Sequence, residues 1–172
     1  SALGIYKAEL NGRRVGNTYF APGWTSYQKR LQYQTYDLTN LLETENEIRI
    51  TVGNGWFKGI LGFYGQGNHY GTRTAVIAMI DLIYTDGTKE RIFTDTMWEC
   101  TTAEHRYNDI YNGETIDFSL GKQEVLRALP YEYAKNILVG QENEPVRITE
   151  RIPAKKILIS PKGEKIIDFG QN

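Results

Sequence analysis

Residues 4–16 read GIYKAELNGRRVG, and Asn11-Gly12 sits between the arms GIYKAEL and RRVG. Asn-Gly is the strongest short-range hairpin signal, because both central positions of the tight turn need positive φ. Asp86-Gly87 repeats the signal between AVIAMIDLIYT (75–85) and TKERIFT (88–94). In the first of these arms Ala78, Ile80, Leu82 and Tyr84 share one face. Ile77, Met79 and Ile83 are apolar on the other, which predicts a strand buried on both sides. LQYQTYDL (31–38) sets Leu31, Tyr33 and Thr35 against Gln32, Gln34 and Tyr36, the alternation of a half-exposed strand. EIRITV (47–52) and KIIDF (165–169) complete the clear strands. Helix signals are thin: Asp37-Leu-Thr-Asn-Leu-Leu caps at most one short turn, and VLRALPYEYAK (125–135) is interrupted by Pro130. The expectation is an all-β chain, an antiparallel jelly-roll β-sandwich.

The chain has 172 residues, 40% of them hydrophobic and 24% charged, with net charge −1. That length suits one domain with the start of a second. Pro145, Pro153 and Pro161 punctuate the last third. We therefore expect a β-sandwich over residues 1–144, then a linker and the opening strands of another β-domain over 145–172. The abrupt start at SALG and the stop at DFGQN suggest an excised fragment. Lys and Arg are scattered rather than gathered, which speaks against a nucleic-acid partner. No apolar run approaches the roughly 20 residues of a membrane span. A lone cysteine and two histidines disfavour zinc. Twelve Tyr, six Phe and three Trp suit half-buried strands, and also surfaces that stack on sugars.

Three segments carry chemistry. YNDIYNGETID (107–117) gathers Asp109, Glu114 and Asp117 with Asn108, Asn112 and two tyrosines. These are ingredients of a sugar site, a calcium site, a glycosidase pair or a capped polar turn. An EF-hand is excluded: counted from Asn108, Ile110 and Ser119 fall where oxygen ligands are required. An irregular calcium site remains open. A glycosidase needs two carboxyls roughly 5 to 9.5 Å apart around a cleft, and nothing here supplies the cleft. GNGWFKG (53–59) brackets Trp56 with glycines, either as a sugar platform or as a plug beneath a bend. GFYGQGNHYGTR (62–73) reads as a long loop, in which His69 is solvated and Arg73 suits a structural ion pair.

Taken together and in order, GIYKAELNGRRVG, APGWTSYQKRLQYQTYDLT, GNGWFKG, DIYNGETID, EPVRITE and IIDFGQN resemble the N-terminal β-domain of bacterial α-L-rhamnosidases of glycoside hydrolase family 78. The resemblance implies a galactose-binding-domain-like jelly roll without catalytic residues, placed ahead of a catalytic (α/α) barrel in an inverting hydrolase. The fragment alone is then expected to be inactive. The implied partners are L-rhamnose-containing glycans or glycosides and the downstream barrel, with calcium as a cofactor in some members. Carried onto this sequence, the sugar-binding residues are Asn54, Trp56, Asp109, Tyr111, Asn112 and Glu114, and a calcium ion falls to Asp109 and Asn112. Trp56 or Tyr111 would stack on the pyranose while the polar side chains accept hydroxyl hydrogen bonds. The alternative is a structural β-domain that packs on the catalytic domain and binds no sugar. The family's usual Trp- and Asp-containing stretch is replaced here by FSLGKQEVLRALPYEYAKN (118–136). The family leaves the compartment open, cytoplasmic or secreted.

Overall fold

The computed structural model describes residues 1–62, 64–102, 104–120 and 124–171. In chain order it contains β1 (Ala2–Leu3), β2 (Ile5–Leu10), β3 (Arg13–Arg14), β4 (Leu31–Tyr33), a 3-10 turn at Thr39–Leu41, β5 (Ile48–Gly53) and one helical turn, α1 (Gly55–Lys58). There follow β6 (Ala75–Val76), β7 (Met79–Ile83), β8 (Lys89–Phe93), β9 (Glu99–Cys100), β10 (His105–Asp109) and β11 (Gly113–Ile116). The last strands are β12 (Leu126–Arg127), β13 (Leu138–Gly140), β14 (Lys156–Ile159) and β15 (Lys165–Asp168).

The Asn-Gly turn forms as its chemistry requires: Asn11 and Gly12 lie at φ 53° and 73°, and Leu10 pairs with Arg13. The Asn11 amide also donates to Leu41 O and its Oδ1 accepts from Glu47 N, which ties the turn to the start of β5. β2 then pairs along its whole length with β5, from Ile5↔Gly53 to Leu10↔Ile48. The Asp86-Gly87 turn differs from the expected one. Only Gly87 has positive φ, and Ile83 pairs with Lys89, so the connection is five residues long. Asp86 Oδ1 holds it by accepting from the Thr88 amide and hydroxyl. Pairing is antiparallel except between β4 and β13, which run parallel.

The core is small and aromatic. Leu3, Tyr27, Leu31 and Phe57 are buried, with Trp56, Tyr70, Tyr133 and Leu138 packed around them. Tyr27 meets the edges of Phe57 and Tyr70 at 5.4 and 4.8 Å between centroids. Its hydroxyl donates to Gly23 O, and burial pushes its pKa far above the ordinary tyrosine value. Tyr27 and Phe57, two rings that could have been sugar platforms, are therefore core.

Two strand expectations need correction. Gln32 is fully buried rather than on an open face, because its Oε1 accepts from the amides of Glu142 and Asn143. β7 is not buried on both sides: Ile80 and Leu82 are half-buried, whereas Met79 and Ile83 face solvent. Among the described residues no second layer covers the outer face of the β7–β8 hairpin. The same holds for β14–β15, where the cross-strand pair Ile157 and Ile167 is 66% and 56% exposed and the opposite pair, Leu158 and Ile166, is also open. The accessible surface is 13123 Å². A compact chain of this mass shows about 8,600 Å². Past the expected boundary after residue 144, Val146 still accepts from Tyr19 N at 2.8 Å, so the chain stays attached to the first unit there.

Candidate sugar-binding surface

The GNGWFKG and DIYNGETID segments meet. Asn54 N donates to Asn108 Oδ1 at 2.7 Å, and Asn54 Nδ2 donates to Asn108 O at 2.9 Å. GNGWFKG is not an open glycine loop but the junction of β5 with α1. Gly55 has φ 53°, and a Cβ there would lie 2.6 Å from Ile5 Cγ2 and 2.9 Å from Ile5 N. Its glycine is required by close approach to β2 rather than by a ligand. Phe57 is fully buried in the core, and Trp56 lies at the core's edge, stacked on Trp24.

Asp109, 8% exposed, is the centre of this junction. Its Oδ2 accepts from Ile60 N at 2.7 Å, just beyond α1. Its Oδ1 accepts from Tyr111 N, Asn112 N and Asn112 Nδ2, each at 3.0 Å. Burial pushes the carboxyl pKa up, but the amides of Ile60, Asn112 and Tyr111 and the Asn112 side chain outweigh it and hold the group below the ordinary aspartate value. Asp117 is likewise held low, by the Ser119 hydroxyl and amide that donate to it. A glycosidase acid needs the opposite shift. Glu114 lies on β11 with its carboxylate 3.3 Å from His105 Nδ1.

Calcium does not fit Asp109 and Asn112 as they stand. A cation needs outward-facing lone pairs, whereas four N–H groups already surround the Asp109 carboxylate and Asn112 turns its nitrogen toward it. Among the described residues no three His, Cys, Asp or Glu side chains gather as a metal site.

Of the six residues expected to bind sugar, Asn54, Asp109 and Asn112 lie at one junction. There the Asn54 side-chain amide donates to Asn108 O, the Asp109 carboxylate accepts from the amides of Ile60, Tyr111 and Asn112, and the Asn112 side chain donates to Asp109 Oδ1. Tyr111 and Glu114 stay exposed on the hairpin. Trp56 belongs to a different neighbourhood. Its ring stacks on Trp24 at 6.0 Å and 7° and meets Phe20 at 5.9 Å. These rings line a cavity of about 190 Å³ whose other wall is the 141–146 segment. Phe20 and Trp24 were missed in the sequence, although the run FAPGW (20–24) carried a usable signal, two rings around Pro22 and Gly23. In the 62–73 loop, His69 Nε2 lies 3.0 Å from Gln66 O. Arg73 makes no ion pair among the described residues, contrary to expectation, and Tyr70 rather than Arg73 ties the loop down, through Phe57 O.

The fold and site together define an antiparallel β-sandwich domain with a polar junction and an aromatic cleft. The family follows from comparison: the alpha-L-rhamnosidase N-terminal domain model matches residues 1–150, and the chain belongs to that family. An alpha-L-rhamnosidase of Streptomyces avermitilis is 37% identical over the whole chain. A crystal structure of native α-L-rhamnosidase from Aspergillus terreus aligns over the whole chain with TM-score 0.90 and 33% identity, covering 21% of that protein. The Streptomyces avermitilis enzyme, solved in complex with L-rhamnose, aligns with TM-score 0.86 and 37% identity. The chain spans about a fifth of the length of these relatives, 18% of the Streptomyces protein. With Aspergillus terreus among them, the matches do not tie the chain to bacteria.

Proposed function

We propose that this chain is a non-catalytic β-domain of an α-L-rhamnosidase that packs against further domains of a longer protein and holds them in place. The observation that carries this is the uncovered apolar strand surface, above all both faces of β14–β15, in a chain spanning 18% of a relative's length. Exposed contiguous apolar faces mark interaction surfaces. Hydrolysis belongs to the remainder of the longer protein, and the chain alone does not cleave rhamnosides.

The double substitution Ile157→Asp with Ile167→Asp tests this. In the 172-residue chain both side chains face solvent, so the cost stays about 1–2 kcal/mol, from strand propensity and two like charges across the ladder. In the longer rhamnosidase the same pair costs several kcal/mol, roughly 3 or more, because charges enter a dry interface. Equal small effects at both lengths would refute packing through this hairpin.

A second reading is that the domain holds L-rhamnose or a related sugar. It is favoured by the exposed rings beside the cavity and by the relative solved with L-rhamnose. Affinity on the order of millimolar to tens of micromolar suits so shallow a site.

A further inference from the structure

We propose that the cleft between residues 18–24 and 141–146 is a carbohydrate subsite, which takes a neutral pyranose ring against Phe20 and Trp24. The proposal rests on the second reading above, but it moves the contact away from the Asp109 hairpin.

Phe20 and Trp24 are 45% and 49% exposed, although each is firmly held. Trp24 is backed by Trp56 in a near-parallel stack, and its Nε1 donates to Tyr70 Oη at 3.3 Å, which fixes the ring plane. Phe20 has φ 54°, a left-handed conformation that costs a bulky residue about 1–2 kcal/mol. Gly23 N donates to Phe20 O and closes that strained turn. The Phe20 ring packs on Trp56 on one side and leaves the other open to solvent, and strained backbone of this kind clusters at ligand sites. Pre-set aromatic faces are what a weakly binding sugar needs, because little ordering cost remains.

The opposite wall is equally fixed. Gln32 Oε1 accepts from Glu142 N at 2.8 Å and Asn143 N at 3.2 Å, its Nε2 donates to Pro22 O at 3.3 Å, and Tyr19 bridges to Val146. One buried amide thereby ties both walls together. Asn143 and Glu144 stand in this wall, and neither side chain makes a hydrogen bond or ion pair among the described residues. They offer an amide and a carboxylate to hydroxyl groups at the edge of the rings. Among the described residues no Lys or Arg lines the cleft while Glu144 does, which selects a neutral ligand over a uronic acid or a phosphate. A cavity of about 190 Å³ is on the scale of one sugar ring rather than a chain.

The test uses the chain labelled with 5-fluorotryptophan and titrated with methyl α-L-rhamnopyranoside, with a uronic acid glycoside in parallel. The chain has three tryptophans, and Trp98 lies outside the cleft with its Nε1 on Phe93 O. Saturable shifts of the Trp24 and Trp56 fluorine signals, with Trp98 unmoved and the uronic acid inert, are expected. Trp24→Ala and Phe20→Ala, both at half-exposed positions, should each weaken binding about tenfold. If binding occurs but survives both variants and is lost in Tyr111→Ala, the domain is a sugar binder and the cleft assignment is wrong. If no signal moves at saturating sugar, the cleft and the sugar-binding reading fall together. A response to the uronic acid equal to that of the rhamnoside would overturn the neutral-ligand assignment.

Discussion

Replacing Asp109 with alanine should cost about 3 kcal/mol of folding stability and leave sugar affinity, where present, unchanged. The carboxylate is the acceptor for three backbone amides, those of Ile60, Tyr111 and Asn112. A stranded buried donor costs about 1–3 kcal/mol. The loop amides of Tyr111 and Asn112 regain water once the side chain is gone, so the Ile60 amide counts in full and the others in part, giving about 3 kcal/mol. For a chain of this length that is a fall of roughly 6–12 °C in Tm. Asp109→Asn keeps one acceptor oxygen but sets an NH2 against a remaining donor, and should cost about 2 kcal/mol. Urea unfolding of the three proteins, followed by far-UV circular dichroism, reads these differences directly. The pH dependence supplies a sign. The native carboxyl lies below the ordinary aspartate value, so its contribution is complete above about pH 4 and is lost as pH falls through the native pKa. The gap between the native chain and Asp109→Asn should therefore close in acid. Loss of sugar binding in Asp109→Ala with stability held within 1 kcal/mol would refute the structural role and restore this residue to the ligand.

Gly55→Ala should destabilise by about 2 kcal/mol or more, since it combines positive φ with a contact to Ile5, and a thermal melt will show whether it does. Gln32→Ala should cost about 3 kcal/mol, because it strands the amides of Glu142 and Asn143. Proteolysis between residues 141 and 146 should quicken in the same variant, and unchanged cleavage would contradict the tie. Adding a chelator should leave Tm unchanged, because the Asp109 oxygens already face N–H donors; a drop would show a calcium ion that this geometry does not hold.

The strands were legible where turn chemistry and alternation agreed. The Asn11-Gly12 turn and the strands β2 and β5 are legible in the sequence, because positive φ at Asn-Gly leaves little choice of turn, whereas the pairing of β2 with β5 is not. Alternation failed at Gln32, whose burial depends on two amides more than a hundred positions later in the chain. It failed at β7 for a different reason. An apolar strand is written for the layer that covers it, and a pattern cannot say whether that layer lies in the same 172 residues. The candidate site divides the same way. The proximity of Asn54 to Asn108 follows from the adjacency of the two loops, but whether an aspartate faces solvent or its own backbone is decided by the register of one hairpin. Phe20 and Trp24 carry no periodic signal, and only the placement of Trp56 against them makes them a surface.

Packing against a longer protein is tested most directly by amide hydrogen exchange on β7–β8 and β14–β15, measured in this chain and in the full rhamnosidase. Stability is unevenly spread, and hairpins with uncovered faces open cheaply. Amides of the Ile157–Ile167 and Met79–Phe93 pairs should exchange rapidly in the short chain and become protected at least a hundredfold, about 3 kcal/mol, in the long one. Equal protection in both proteins would show that these faces meet nothing, and would contradict the packing role.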